Sequence, residues 1–128
     1  MLNGIHVLIV DDDVRNTFAL AGYLEYSGFE MKISTVESGA AAIEFLSRHS
    51  NTEIILMDMM MSEMDGYEAI SHIKNDATTS KIPVIAVTAQ AMPGDREKCI
   101  QAGASDYVSK PIDIAVLLEK MTRLLNPG

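Results

Sequence analysis

The sequence is poor in several things that common functions require. It holds a single cysteine, Cys99, in 128 residues, so no internal disulfide framework exists and a reducing compartment suits it. Basic residues are also few: 10 Lys and Arg stand against 18 Asp and Glu, for a net charge of −8. Binding to a phosphate backbone draws on clustered Lys and Arg, and no such cluster is present, which argues against direct contact with nucleic acid. The longest apolar runs are about six residues, against roughly 20 needed to cross a bilayer. No charged n-region followed by an apolar h-region opens the chain, so no secretory signal is read. A cytoplasmic location is expected, and a domain excised from a membrane receptor would read the same. Repeats, low-complexity tracts and internal linkers are missing too.

What remains is ordinary globular material, 48% apolar and 22% charged. The length suits one domain over residues 1–128, with a core from about 5 to 125. Five short β-like runs alternate with five helix-like stretches, the pattern of an α/β fold with a parallel sheet. The runs are "IHVLIV" (5–10), "MKIST" (31–35), "EIILM" (53–57), "IPVIAVT" (82–88) and "DYVS" (106–109). The third is apolar at consecutive positions, as expected for a strand covered on both faces. A first helix is predicted from about Val14 to Ser27, with Val14, Phe18, Ala21 and Leu24 on its apolar face and Gly28 at its C′ position. Ser38 is read as the N-cap of a second helix carrying Ala42, Phe45 and Leu46, and Asp65 as the cap of a third over 66–74. A fourth runs over 95–102 to Gly103. Asp113 caps the last, which bears Ile114, Leu117, Leu118, Met121, Leu124 and Leu125.

In a parallel α/β sheet, ligands bind beyond the carboxyl ends of the strands. The residues there are chemically matched. Asp11, Asp12 and Asp13 follow the first run, Asp58 ends the third, Thr88 the fourth, and Lys110 follows the fifth. Carboxylates gathered within a few ångströms repel unless one is protonated or a cation neutralises them. A hard, oxygen-only site with water access suits Mg²⁺. Asp58 can then serve as a nucleophile, since aspartyl phosphates are an established covalent intermediate type, with Lys110 and Thr88 placed for phosphoryl oxygens. Taken singly, each feature has a plainer reading. Paired acids after a strand are more often a helix cap than a metal site, a strand-end threonine is usually a β-former, and Lys-Pro is common in loops. The methionines at 57, 59, 60, 61 and 64 read as packing, because thioethers prefer soft metals. His6, His49 and His72 share no ligand spacing, and Cys99 reads as a small buried hydrophobe. Only the joint arrangement points to phosphoryl chemistry.

Four motifs in order, "VLIVDDD", "ILMDMMMSEMDG", "VIAVTA" and "GASDYVSKP", resemble the response-regulator receiver domain of two-component signalling over about residues 5–125. The wording around them is most similar to receivers of hybrid sensor histidine kinases. The resemblance implies a flavodoxin-like, doubly wound (βα)5 fold with strand order 2-1-3-4-5. It also implies that Asp11, Asp12, Asp58 and the carbonyl of Met60 hold Mg²⁺, and that Asp58 accepts phosphoryl from a phosphohistidine. Thr88 and Lys110 would contact that group, with Thr88 and Tyr107 as the switch pair. The implied partner is a sensor histidine kinase or histidine phosphotransfer domain. The face of the fourth helix, fifth strand and last helix would be the output surface, and a weak homodimer through it is left open. Weak self-phosphorylation and autophosphatase activity are implied as well. One departure is evident: the family usually has proline where this chain has Ser62, and proline would stiffen the loop beside Asp58.

Two rivals stand beside this reading. Strand-Asp-x-Asp-Val, with Asp11 as nucleophile and Asp13 as acid/base, is similar to haloacid-dehalogenase-like phosphatases, but leaves Asp58 without a role. A non-phosphorylated interaction module is the other, although such modules typically lose an acid that this chain keeps.

Overall fold

The alternation of strand and helix builds one five-stranded parallel sheet in the order β2-β1-β3-β4-β5, described for residues 2–49, 51–61, 66–89 and 94–126 of a computed structural model. The elements run β1 (Ile5–Val10), α1 (Val14–Glu25), β2 (Met31–Val36), α2 (Gly39–Arg48), β3 (Ile54–Asp58), α3 (Gly66–Asn75), β4 (Val84–Thr88), α4 (Asp95–Ala102), β5 (Asp106–Ser109) and α5 (Ile114–Leu125). The order reverses direction at β1, which lies between β2 and β3. That crevice at the strands' carboxyl ends is where ligands of such sheets bind.

β3 and β4 are buried at every position, which explains their uninterrupted apolar sequence. Alternation along the strands feeds two cores. Leu8, Val10, Ile55, Met57, Val84 and Ala86 face one side with Ile70 and Ile73 of α3. Val7, Ile9, Leu56, Ile85 and Val87 face the other, with Leu20 and Leu24 of α1 and Leu117 and Met121 of α5. The strand register leaves both cores sealed and the carboxyl-end tips of the central strands side by side, with Asp58 paired to Val87 and Thr88 to Ser109.

Helix ends follow the sequence signals closely. The Ser38 hydroxyl accepts the Ala41 N–H at 3.0 Å, and Asp113 Oδ1 accepts those of Ala115 and Val116. α4 stops at Gly103, whose φ of 118° lies in the left-handed region where glycine carries no steric penalty. The Asp65 cap expected for α3 falls outside the described residues. α1 departs from expectation in two ways. It ends at Glu25, placing Gly28 two residues past the Tyr26 cap rather than at C′. Its buried stripe is Thr17, Leu20 and Leu24, while Val14 and Phe18 are 61% and 83% exposed. Thr17 can occupy the stripe because its hydroxyl donates to the Val14 carbonyl at 2.9 Å, so a polar residue type concealed the true face.

Candidate phosphoryl-acceptor and metal site

The tips of β1, β3, β4 and β5 deliver polar groups to the same edge of the sheet. β1 ends at Val10, and the Asp11 N–H is tied to the Val36 carbonyl at 3.2 Å. Asp11 Oδ1 then accepts the Asp13 N–H at 2.9 Å. Asp13 in turn caps α1, its Oδ1 accepting the Arg15 N–H at 2.9 Å. The three consecutive acids therefore divide their work: the last starts the helix, which removes it from the acid/base role it needs in a dehalogenase-like mechanism. Asp58 ends β3 and is 4% exposed, with the Met60 N–H donating to its Oδ1 at 3.2 Å. One carboxylate oxygen each from Asp11, Asp12 and Asp58 lies within 4.8 Å of the others.

Lys110 closes the other side. Its backbone N–H donates to the Thr88 carbonyl at 2.8 Å, which joins the tips of β4 and β5. Its ammonium sits 3.5 Å from Asp11 Oδ2 and 3.8 Å from Asp58 Oδ1. Thr88 is 5% exposed, and its Oγ1 is buried without a hydrogen-bond partner among the described residues. A buried hydroxyl in that state ordinarily costs 1–3 kcal/mol, so its position at a site edge calls for an acceptor that arrives. Tyr107 lies opposite Ala86 in the β4–β5 register and is half-buried against the α3-side core. Lys120 reaches over its ring at 5.2 Å and donates to its carbonyl at 2.7 Å.

The three acids crowd one another. Two carboxylate charges within 4.8 Å of each other repel by about 3.5 kcal/mol or more at an effective dielectric of 20. The Lys110 ammonium is shared between Asp11 and Asp58, and a divalent cation among the three carboxylates would relieve their repulsion. Burial raises the Asp58 pKa above the usual carboxylate value. The Met60 amide opposes this, the Asp11 charge adds to it and Lys110 counters it. An oxygen-only donor set with one exposed member, Asp12, together with the partnerless Thr88 hydroxyl, fits Mg²⁺ and a phosphoryl group.

Of the residues expected from sequence, Asp11, Asp12, Asp58 and Lys110 meet in this crevice and Thr88 stands at its edge. Tyr107 lies two residues further down the sheet, and Met60, 70% exposed, follows the acid. Ser62 falls outside the described residues. Cys99 is buried, which pushes its thiol pKa up, in keeping with a packing role. Two features went unseen in the sequence. One is a largely apolar cleft of about 230 Å³ between α1 and the β5–α5 connection, lined by Leu20, Tyr23 and Ile112 with Asp58 and Lys110 at its end. The other is Gly66, whose Cα leaves no room for a side chain against the backbone after Asp58. A glycine after an acid gives no sign of such crowding.

A five-stranded 2-1-3-4-5 sheet with an acid cluster at the carboxyl ends of its strands defines a flavodoxin-like domain. Residues 7–122 match the response regulator receiver domain model, and the chain belongs to that family. It is 40% identical over 119 residues to the polar-differentiation response regulator DivK of Brucella ovis, covering 93% of this chain and 94% of that one. A two-component response regulator of Oryza sativa is 33% identical over 120 residues, 94% of this chain and 80% of the relative. Among solved structures, the receiver domain of a Pseudomonas aeruginosa sensor histidine kinase is 34% identical with a TM-score of 0.85, over 95% and 98% of the two chains, and carries a magnesium ion coordinated in its active-site cleft. The receiver domain of a histidine kinase from Syntrophus aciditrophicus is 33% identical with a TM-score of 0.83, over 95% and 90%.

Proposed function

We propose that the protein is a phosphorylation-controlled switch in a histidine-to-aspartate phosphorelay, with Asp58 as acceptor. The observation that carries this reading is the convergence of three carboxylates and one ammonium on a buried strand tip. Asp11, Asp12, Asp58 and the Met60 carbonyl would hold Mg²⁺, which when bound would supply charge neutralisation for phosphoryl oxygens. An Asp58 oxygen attacks phosphorus as the N–P bond of a phosphohistidine breaks, and the departing imidazole takes a proton. The Lys110 ammonium, freed from Asp11 and Asp58, pairs with the transferred group. Positioning and charge neutralisation, more than proton chemistry, carry such a transfer.

The Thr88 hydroxyl donates to the new phosphoryl oxygens, and Tyr107 turns toward the space that Thr88 leaves. One such charge-assisted bond is worth about 1.5–3 kcal/mol. Full reversal of a 1:99 equilibrium needs about 5.5, so this pair alone shifts the population incompletely. The donor is a sensor histidine kinase or a histidine phosphotransfer domain in the cytoplasm. Among the described residues no helix is long and apolar enough to cross a membrane. The α4–β5–α5 face passes the signal on, and a weak homodimer through it is part of the same reading.

Intact mass after incubation with acetyl phosphate and Mg²⁺ tests the core of this. One phosphoryl group should be gained, and lost in EDTA or in Asp58→Asn. A gain that survives in Asp58→Asn but disappears in Asp11→Asn would move the nucleophile to Asp11 and favour the phosphatase reading. A folded wild-type protein that binds Mg²⁺ but gains nothing would favour the pure interaction module.

A further inference from the structure

Gly66 opens α3, and its φ lies outside the left-handed region, so nothing in its backbone conformation requires glycine. Space does. A Cβ there would stand 2.6 Å from the Asp58 carbonyl oxygen, 2.6 Å from the Met59 Cα and 2.6 Å from the Met59 Sδ. Two of those three atoms are backbone, and backbone does not move aside as a flexible side-chain end does.

Neither partner in this contact is free to retreat. The Met59 N–H is bonded to the Val87 carbonyl at 3.0 Å, which anchors the end of β3 to β4. On the other side α3 is fixed by Ala69, Ile70 and Ile73, each 2% exposed or less. Met60, next after Met59, holds Asp58 Oδ1 through its amide.

We infer that Gly66 is a positioning residue for the metal and phosphoryl site: its missing Cβ lets α3 close against the Asp58–Met59 backbone, and that closure sets where the Met60 amide and carbonyl stand. The inference rests on the reading of Asp58, Met60 and Mg²⁺ given above. A methyl group at position 66 presses on the Asp58 carbonyl and the Met59 Cα, and because sheet and helix are both held, the strain falls on Met60, the next residue in the chain. The Met60 amide then loses its aim at Asp58, and the Met60 carbonyl its aim at the cation.

The test is Gly66→Ala, studied as metal-free protein and in Mg²⁺ titration. In the metal-free protein the Met60 amide resonance should shift and its hydrogen exchange quicken. By calorimetry the Mg²⁺ dissociation constant should rise about ten-fold or more, the range seen when groups that orient metal ligands are lost. Gly103→Ala is the control for general destabilisation: its Cβ would meet the Lys74 Cγ at 2.7 Å, away from the acids, and it should lower Tm with Mg²⁺ affinity kept. The double variant Met59→Ala/Gly66→Ala relieves only the side-chain part of the clash, so it should remain weak. Restoration of wild-type affinity by Met59→Ala would overturn the inference. So would wild-type affinity and amide behaviour in a folded Gly66→Ala. A Gly66→Ala that stays unfolded even at 10 °C in sucrose would place the cost in core packing and overturn it too. Wild-type protein that itself neither binds Mg²⁺ nor gains phosphoryl would instead sink the reading on which the inference depends.

Discussion

At the scale of single residues, the site is made of groups held in states that folding alone does not favour. Thr88 is the plainest case, a hydroxyl sealed from water with no partner among the described residues. Thr88→Val keeps the shape and removes the orphaned polar atom, so it should stabilise the unphosphorylated protein by about 1–2 kcal/mol. The same variant should still accept phosphoryl but report it more weakly to a partner. Urea unfolding and partner affinity check the two halves. Equal stability would mean that water already satisfies the hydroxyl, and an undiminished response would uncouple Thr88 from the switch. The acids were legible at this scale because acids rarely end a buried strand without cause. Phe18 and Thr17 were not, since the hydrogen bond that lets a threonine sink and a phenylalanine stay outside leaves no mark on residue type.

At the scale of elements, legibility depended on whether a signal was local. The strands were evident from short apolar runs, most helices from the period of their apolar residues, and the Ser38 and Asp113 caps from residue type. β4 was read two residues too long at its start because Ile82 and Pro83 extend the apolar run, although only Val84–Thr88 is strand. The α1–β5–α5 cleft and the Gly66 contact escaped because each is made by segments distant in sequence or by the absence of an atom. The caps also separate stability from chemistry. Ser38→Ala should cost about 1 kcal/mol through α2, whose Ala42 and Leu46 pack in the core on the α3 side of the sheet. Denaturant unfolding should show that loss while the Mg²⁺ dissociation constant stays put, and a co-varying metal affinity would refute the separation.

For the whole molecule, the raised Asp58 pKa links stability to pH with a definite sign. In the folded state Asp58 keeps its proton above the ordinary value of 3.8. Between that value and the raised one the folded protein binds more protons than the unfolded chain. Metal-free stability attributable to this group therefore falls as pH rises through the window and stays low beyond it. Asp58→Asn should accordingly raise the Tm in EDTA at pH 7, and the gain should vanish near pH 3. Mg²⁺ reverses the trend, because its ligands must be deprotonated. At a hundredfold excess over Kd it adds about 2.7 kcal/mol, roughly 10 °C for a domain of this size. Thermal melts at pH 4 and pH 7.5, with and without Mg²⁺, should show the large rise only at the higher pH. A rise independent of pH would mean the cation binds elsewhere.

The ion pair between Lys110 and Asp11 spans 99 positions of sequence, and it has a meaning for the newborn chain. A ribosome releases the acids of β1 and β3 long before the lysine that completes their pocket, and the sheet cannot close until β5 has emerged. A half-made chain thus offers the clustered carboxylates without the cation beside them. With Asp58 as the proposed acceptor, competence to receive a signal would arrive only with the finished fold, and the relay would hear from no unfinished molecule.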